Sequence, residues 1–589
     1  MKTKSLRKIC RRDFLRISGL ATVGVLTGYP HVKAATPTAD LVLTNGKIIT
    51  VDPVDTITQG VAVKRGRILE LGKTEMIKKY VGRQTKVVNL RGKTVTPGLI
   101  DSHAHLPFFG LRENGWFLNL QGVRSKDEIL ELLAERARKN PKGEWISAWG
   151  VESLSMSYLN KDDLDRVTTE HPMLVVYTGG QWGFANSYAL RIAGIDKNTP
   201  NPPGSKIGKN FSGKEPTGLL IHYPALHLVR KHMPAPDNEQ AKDALLFAAK
   251  LYAAEGVTSV HDNFFSLAQP QFHKAYFEKV QSRKMPIRIK LWPYMPNLNV
   301  ASKVLNALFE SDDLYPDSKI KDLILYKREV PELFSSLWGG FKMAVDGGGP
   351  TTIWYSRPGV PLHKTEELHR MFKLFHNAGH QVSTHAVGDK AVDMILDAIE
   401  AAHRDHPRED CRHRIEHALS PQTRSLERIK RLGVVICTHP QWLFAWGDKW
   451  TGLKRREDYF GVIPLKSYLK SDIPLAIGAD PPAFPVYQPQ VGLAEAVNRI
   501  TRSGYRFDSS QSISIQEALR IQTMGSAYAG FQEKDIGSIE KGKHADMVVW
   551  NRDFYTVSPD EIKEVKAEVT IVGGKLVYKS NRTELSWQA

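Results

Sequence analysis

The sequence predicts an α/β protein of the (β/α)8 TIM-type barrel class, on three observations. Short, nearly continuous apolar runs recur through the middle of the 589-residue chain, helical patterns lie between them, and strand-like segments of another style occupy both ends. Strands of a parallel sheet covered by helices are buried on both faces and so read as apolar runs, and eight strand–helix units close into a barrel. The runs are "GLIDSHAHL", "GVTSVHDN", "IRIKLW", "GFKMAVDG", "QVSTHAVGD", "RIEHA", "GVVICTHP" and "IPLAIGAD". Helical patterns among them include "HKAYFEKVQSRK", "ELHRMFKLFHNAG" and "AVDMILDAIEAAHRD".

Residues 1–34 stand apart. A basic beginning, an apolar stretch from Ile17 to Leu26 and small residues around Ala34 are the three parts of an export signal. Within it, Arg11-Arg12-Asp13-Phe14-Leu15-Arg16 resembles the twin-arginine signal, an address read by the machinery that exports folded proteins. A periplasmic location with that machinery as partner is expected. The apolar stretch falls short of the roughly 20 residues a bilayer requires, so no stable membrane insertion is expected. The leader holds eight Lys or Arg against Asp13, a net 7 of the formal +18, which leaves +11 on the rest. That remainder is dispersed, and its densest group, Lys454-Arg455-Arg456, is followed at once by Glu457-Asp458. Such a surface is solvated and does not predict nucleic-acid binding. Cys10 lies in the leader, and Cys411 and Cys437 lie beside apolar runs, so there is no disulfide framework.

Residues 35–96 read as short alternating strands with turns at Asn45-Gly46 and Arg65-Gly66. Residues 531–589 repeat the style in "GSIEKGKHADMVVW" and "VTIVGGKLVYKS". Neither piece makes a stable sheet alone, since isolated hairpins are marginal in water. One small β-sandwich built from both ends is expected. The barrel should occupy residues 97–530, with residues 107–255, too long for a loop, as an inserted subdomain.

In such a barrel the active site lies where the strands end, so polar residues at those ends should converge. His103 and His105 are one residue apart on a strand and project from the same side, which makes them half of a metal site. Each candidate also has a plain structural explanation: a solvated face for the pair, a helix start for His385, a core position for His417, a turn before Pro481 for Asp480. Lys342 on an apolar strand is harder to explain, because a buried amine without a partner is costly. The recurrence of such residues at the same end of several strands argues a metal centre.

Taken together, "GLIDSHAHL", "FKMAVDG", "STHAVGDKAVDMIL", "RIEHA", "PLAIGADPP" and "GSIEKGKHADMVVW" resemble the amidohydrolase superfamily, in its branch of large metal-dependent hydrolases (amidohydrolase family 3), from Asp40 to about Tyr578. The resemblance implies that His103 and His105 bind one metal and that His385 and His417 bind a second. It also implies that Lys342 can be carboxylated to bridge the two, and that Asp480 is both ligand and base. Three departures accompany it: Gln181 where the branch often has histidine, Ala479 where it often has serine, and Gly347-Gly348-Gly349 after Asp346 in place of its usual ending. They unsettle any transfer of substrate.

A divalent ion held by imidazoles lowers the pKa of a water it binds toward about 7 and polarises a carbonyl. Zn²⁺ suits imidazole, and Mn²⁺ or Fe²⁺ is admitted by carboxylate or carbamate. Asp480 is then expected to take a proton from the water and deliver it to the departing nitrogen. The expected function is cleavage of an amide or formamide-like C–N bond. A lactone, ester or phosphoester hydrolase is the alternative, followed by a non-catalytic binding or regulatory protein on the same barrel. Aromatic stretches, Trp116 and Phe117, Trp182 and Phe184, Trp354 and Tyr355, and Trp442, Phe444, Trp446 and Trp450, point to a partly apolar small-molecule amide, although core packing explains half of them equally. Trp182 and Trp442 are the aromatic substrate contacts expected among these. His261 and His439, at the ends of the second and seventh runs, are candidates for the same role. Metal number, acyl group and oligomeric state stay open.

Overall fold

The computed structural model describes residues 37–123, 125–151, 159–265, 267, 269–310, 321–450 and 461–587. The leader with Arg11 and Arg12, and the basic group at 454–456, lie outside the described residues.

Eight strands form the barrel: β1 (Leu99–Ala104), β2 (Val257–Phe265), β3 (Arg288–Pro293), β4 (Phe341–Ala344), β5 (Val382–Ala386), β6 (Arg414–His417), β7 (Val435–Thr438) and β8 (Leu475–Ile477). They pair in parallel as β3-β2-β1 and as β4 through β8 in order. Two seams close the ring. At the first, Tyr294 bridges Lys342 and the Met295 N–H donates to the Lys342 carbonyl at 2.8 Å. At the second, the Asp480 N–H donates to the His103 carbonyl at 2.7 Å and the His105 N–H to the Pro481 carbonyl at 2.9 Å. Gly478 permits this second approach, since a Cβ there would stand 2.5 Å from the His103 nitrogen.

The covering helices follow from apolar spacing. In Thr365–Asn377, Leu368, Met371, Phe372 and Phe375 recur at helical intervals and are buried. Asp389–Asp405 does the same with Val392, Ile395, Leu396 and Ile399. Both faces pack into one core with the strand residues Phe341, Val382 and Ile415.

At the chain ends, a four-stranded sheet comes from the N-terminal segment alone, and a six-stranded sheet takes three strands from each end. Leu41, Leu43, Val61 and Val88 pack against Met547, Val549, Val569 and Ile571 in one core. Asn45 and Arg65 adopt φ of 54° and 49° at the turns the sequence marks. The insertion is narrower than residues 107–255. Its six-stranded sheet runs from Leu118–Asn119 to Pro216–Ile221 with its own apolar clusters. By contrast, the flanking helices Leu106–Glu113 and Asn238–Ala254 bury Phe109, Leu111, Ala244 and Leu245 in the barrel core. They therefore belong to the barrel. Cys411 and Cys437 are buried free thiols. Among the described residues no helix is long and apolar enough to cross a membrane.

Candidate active site

A cavity at the carboxyl ends of the barrel strands is lined by His103, His105, Lys342, Asp346, His385, His417 and Asp480, together with Gln181, Tyr223, Phe264 and Tyr294. Strand register brings the polar residues together: Ala344 lies beside His385, and His385 beside Glu416. Lys342 sits one side-chain pair lower, beside Ser383, and a lysine is long enough to reach up from there. His417 ends β6 and Asp480 lies just past β8, with φ of 78° and 58°, unusual for residues with a Cβ. Such backbone is held only where the surroundings over-determine it.

His103 is oriented from behind. Its Nδ1 lies 2.5 Å from Glu416 Oε2, and Glu416 also accepts from Arg414 Nε at 2.8 Å and Ser383 Oγ at 2.7 Å. Burial opposes ionisation of Glu416, but the Arg414 and Lys342 charges overcome it and hold its pKa below the usual range. A carboxylate can only accept, so His103 carries its proton on Nδ1 and leaves Nε2 bare.

A second relay fixes His417. The His439 Nδ1–H donates to the Gly478 carbonyl at 2.7 Å, which leaves His439 Nε2 to accept from His417 Nδ1 at 2.8 Å. His417 Nε2 is then bare, and it faces His385 Nδ1 at 2.8 Å. Burial first, and then the Lys342 charge, hold His103 and His385 well below the ordinary histidine range; burial and His385 do so for His417. All three are neutral imidazoles, the state a metal requires.

Asp480 Oδ1 stands 3.0 Å from His105 Nε2 and 3.6 Å from His103 Nε2, without the alignment of a hydrogen bond. Among the described residues, Asp480 Oδ1, Lys342 Nζ, His385 Nε2 and His105 Nδ1 are buried with no hydrogen-bond partner. Burial pulls the Lys342 ammonium down to about 8, against the carboxylates of Glu416 and Asp480. Unsatisfied buried polar atoms cost free energy, and several in residues that line one cavity, with imidazole, carboxylate and amine chemistry, fit a divalent cation. Asp346, 3.6 Å from His385 Nε2, accepts from the Ile353, Val387 and Gly388 N–H groups, while burial raises its pKa to about 7.

The structure corrects the four expected substrate contacts. His261 lies in mid-strand, bonded to Gln532 Oε1 at 3.0 Å and Arg414 Nη1 at 3.2 Å, because β2 runs on to Phe265. His439 spends both nitrogens on orienting His417. Trp182 stacks on Tyr177 at 4.3 Å within the insertion's core. Trp442 stacks behind the site, 4.4 Å from His439 and 4.0 Å from Phe484. None of the other expected aromatics lines the cavity. Its aromatic wall is Phe264 stacked on Tyr294 at 4.6 Å, with Tyr223 5.3 Å from Phe264. Phe264 and Tyr294 carry a signal of the kind that marks the histidines, a position just past an apolar run. Glu416 was signalled by "RIE", two opposite charges on one face of an apolar strand. Tyr223 carried no signal, since its position depends on the insertion.

A further group, His376, His403, Cys411 and His413, lies before β6, at the opposite end of the barrel. The Val382 N–H donates to His413 Nδ1 at 3.1 Å, so the His413 proton sits on Nε2 and points at His376 Nδ1, 2.9 Å away. The His376 Nε2–H donates to the His406 carbonyl at 2.7 Å. This chain brackets the start of β5 and β6 and leaves His413 without a free lone pair.

An α/β barrel that gathers neutral imidazoles, an amine and carboxylates at its strand ends has the architecture of a metal-dependent hydrolase. The chain belongs to the amidohydrolase family, whose sequence model matches residues 86–578. It is 33% identical over 583 residues to Protein LONG AFTER FAR-RED 3 of Arabidopsis thaliana, covering 93% of this chain and 94% of that one. It is 27% identical over 556 residues to N-substituted formamide deformylase of Arthrobacter pascens, covering 92% and 98% respectively. The fold matches an uncharacterized metal-dependent hydrolase from Pyrococcus horikoshii with a TM-score of 0.66 at 24% identity, over 88% of this chain and 99% of that one.

Proposed function

We propose that the protein is an exported hydrolase that cleaves the C–N bond of a small, partly apolar amide or formamide. The observation that carries this reading is the convergence of His103, His105, His385, His417, Lys342 and Asp480 on one cavity, four of them with an unsatisfied buried atom. The activity named for the Arthrobacter pascens relative supports the choice of bond. Export rests on the leader sequence alone.

His103, His105, His385, His417 and Asp480 would hold one or two divalent ions, with Zn²⁺ preferred for its fit to imidazole. Lys342 is the candidate bridge: its neutral amine adds to carbon dioxide, a C–N bond forms and a proton leaves, giving a carbamate with two oxygen donors. Mn²⁺ or Fe²⁺ becomes acceptable once those oxygens are present. The bound metal supplies an acidified water and a Lewis acid for the acyl oxygen.

The chain's own groups do the rest. Asp480, beside both imidazoles of the first pair, takes the proton of the attacking water and returns it to the departing nitrogen, so that it leaves as a neutral amine. Glu416 and His439 fix the tautomers of His103 and His417. Phe264 and Tyr294 wall off one side and accept an apolar substituent.

Metal content of the purified protein, followed by a hydrolysis panel of amides, formamides, lactones and esters, tests the reading. Stoichiometric metal with turnover of formamides or amides is expected. Turnover of esters or lactones alone would move the reaction to a C–O bond, and a metal-loaded protein inert to the whole panel would remove catalysis.

A further inference from the structure

The cavity holds a polar group that the proposed reaction does not yet use. Tyr223 opens the helix Tyr223–Arg230, which belongs to the inserted subdomain, and its ring reaches the barrel's site beside His105, Asp480 and Lys342. Several independent contacts fix it there. His222 before it takes φ of 68°, turning the chain into the helix, and its Nε2–H is anchored on the Val360 carbonyl at 3.0 Å. The Tyr223 ring packs 5.3 Å from Phe264 and 5.7 Å from Tyr294.

The hydroxyl has a polar neighbour as well, Gln181 on the same cavity wall. Gln181 Oε1 accepts from the Gly348 N–H, so the other end of its amide, a donor only, is left to the Tyr223 oxygen. Tight packing keeps Gln181 in that orientation: a Cβ on Gly347 would stand 2.7 Å from Gln181 Oε1 and 2.6 Å from the His222 ring. With a donor-only amide end on that side, the Tyr223 O–H finds its acceptor in the cavity that both residues line. A phenol, with a pKa of about 10, stays a donor at neutral pH.

We propose that Tyr223 donates a hydrogen bond to the acyl oxygen of the bound substrate, and to the oxyanion that develops there, with Gln181 as the positioning residue that aims the hydroxyl. The proposal rests on the hydrolytic reading of the site. It assigns the inserted subdomain a share in the chemistry, and it restricts substrates to those presenting an oxygen acceptor beside the bond that breaks. A positioned donor of this kind is worth most where charge grows during the reaction.

The test uses full-length, zinc-loaded protein and the variants Tyr223→Phe and Gln181→Ala. On whichever member of the amide and ester panel the parent turns over, Tyr223→Phe should lose about 10²-fold to 10³-fold in kcat with KM within a few-fold, the range for deleting one oxyanion donor. Gln181→Ala should lose less, also in kcat. Phenylphosphinate, a stable tetrahedral oxyanion, is the second probe: calorimetry should show at least tenfold weaker binding to Tyr223→Phe at unchanged zinc content. Undiminished kcat in Tyr223→Phe, or equal phosphinate affinity in parent and variant, absent binding in both included, overturns the proposal. A parent that hydrolyses nothing in the panel defeats the hydrolytic reading, and the phosphinate measurement still decides on the donor.

Discussion

His103 Nδ1 and Glu416 Oε2 lie 2.5 Å apart although 313 residues separate them in the chain. The contact joins β1 to β6 across the barrel interior and sets which nitrogen of His103 faces the cavity. Glu416→Gln keeps the shape but weakens the acceptor and leaves the buried Arg414 guanidinium without a counter-charge. Metal affinity should fall roughly 10-fold to 100-fold, as for other partners of metal-binding histidines. Thermal stability should fall too, because a buried charge has lost its partner. Metal titration and thermal melting read the two effects separately; a variant with parental metal affinity would show that Glu416 serves packing alone.

Lys342 gives a prediction about metal number. If it bridges as a carbamate, Lys342→Ala should lose metal and activity together, and short carboxylic acids such as acetate or propionate should restore both by supplying bridging oxygens. Mass spectrometry of the intact parent should show the added carbon dioxide. One metal per chain beside an unmodified amine would reduce the site to a mononuclear one.

His261 predicts an acid limb in stability. Burial, and next the Arg414 charge, lower its pKa to about 3, against about 6.5 in an unfolded chain. The folded state therefore holds the neutral ring, and the stability this contributes is complete above about 6.5 and lost as pH falls toward 3. The slope is about 1.4 kcal/mol per pH unit in that window. The melting temperature of the parent should drop more steeply between pH 6.5 and 4.5 than that of His261→Gln, and parallel slopes would refute the assignment.

The leader predicts the route of export. We expect Arg11→Lys with Arg12→Lys to hold the protein in the cytoplasm at normal abundance, read by fractionation. Unimpaired export of the double variant would exclude the twin-arginine pathway.

The barrel and its rim were legible because both leave local marks. Apolar runs betray buried strands, and a histidine or lysine at the end of such a run is out of place unless it has a function, which picked out His103, Lys342, His385 and His417. What lay beyond a single run was harder to read. His439 carried the same mark as His417, yet its nitrogens are taken by Gly478 and His417, a fact of tertiary contact. Trp182 and Trp442 lie in aromatic stretches of the insertion and after the seventh run that were expected to overhang the pocket, but an aromatic ring finds more contact inside a core than at a wet rim. Tyr223 enters the cavity only because the insertion folds back over the strand ends, and no spacing in the sequence encodes that approach.

Asp480 separates a working hydrolase from a barrel that merely holds metal. It follows β8, and the bond from its N–H to the His103 carbonyl holds it against β1, so its carboxylate lies 3.0 Å from His105 Nε2. From there it can touch a metal held by the first histidine pair and accept a proton from the attacking water. Asp480→Asn preserves the size, the backbone bond and one coordinating oxygen, and removes only the ability to accept and return the proton. The variant should fold, retain much of its metal and lose roughly 10²-fold to 10⁴-fold in kcat, the range for a positioned acid–base group. KM should change little, because the carboxylate binds the reacting water and not the substrate's apolar part. Loss of metal in proportion to activity would make Asp480 a ligand only. Turnover at the parental rate would leave the proton to another group, and among the residues lining the cavity Asp346, 3.6 Å from His385 Nε2, is the next carboxylate to test.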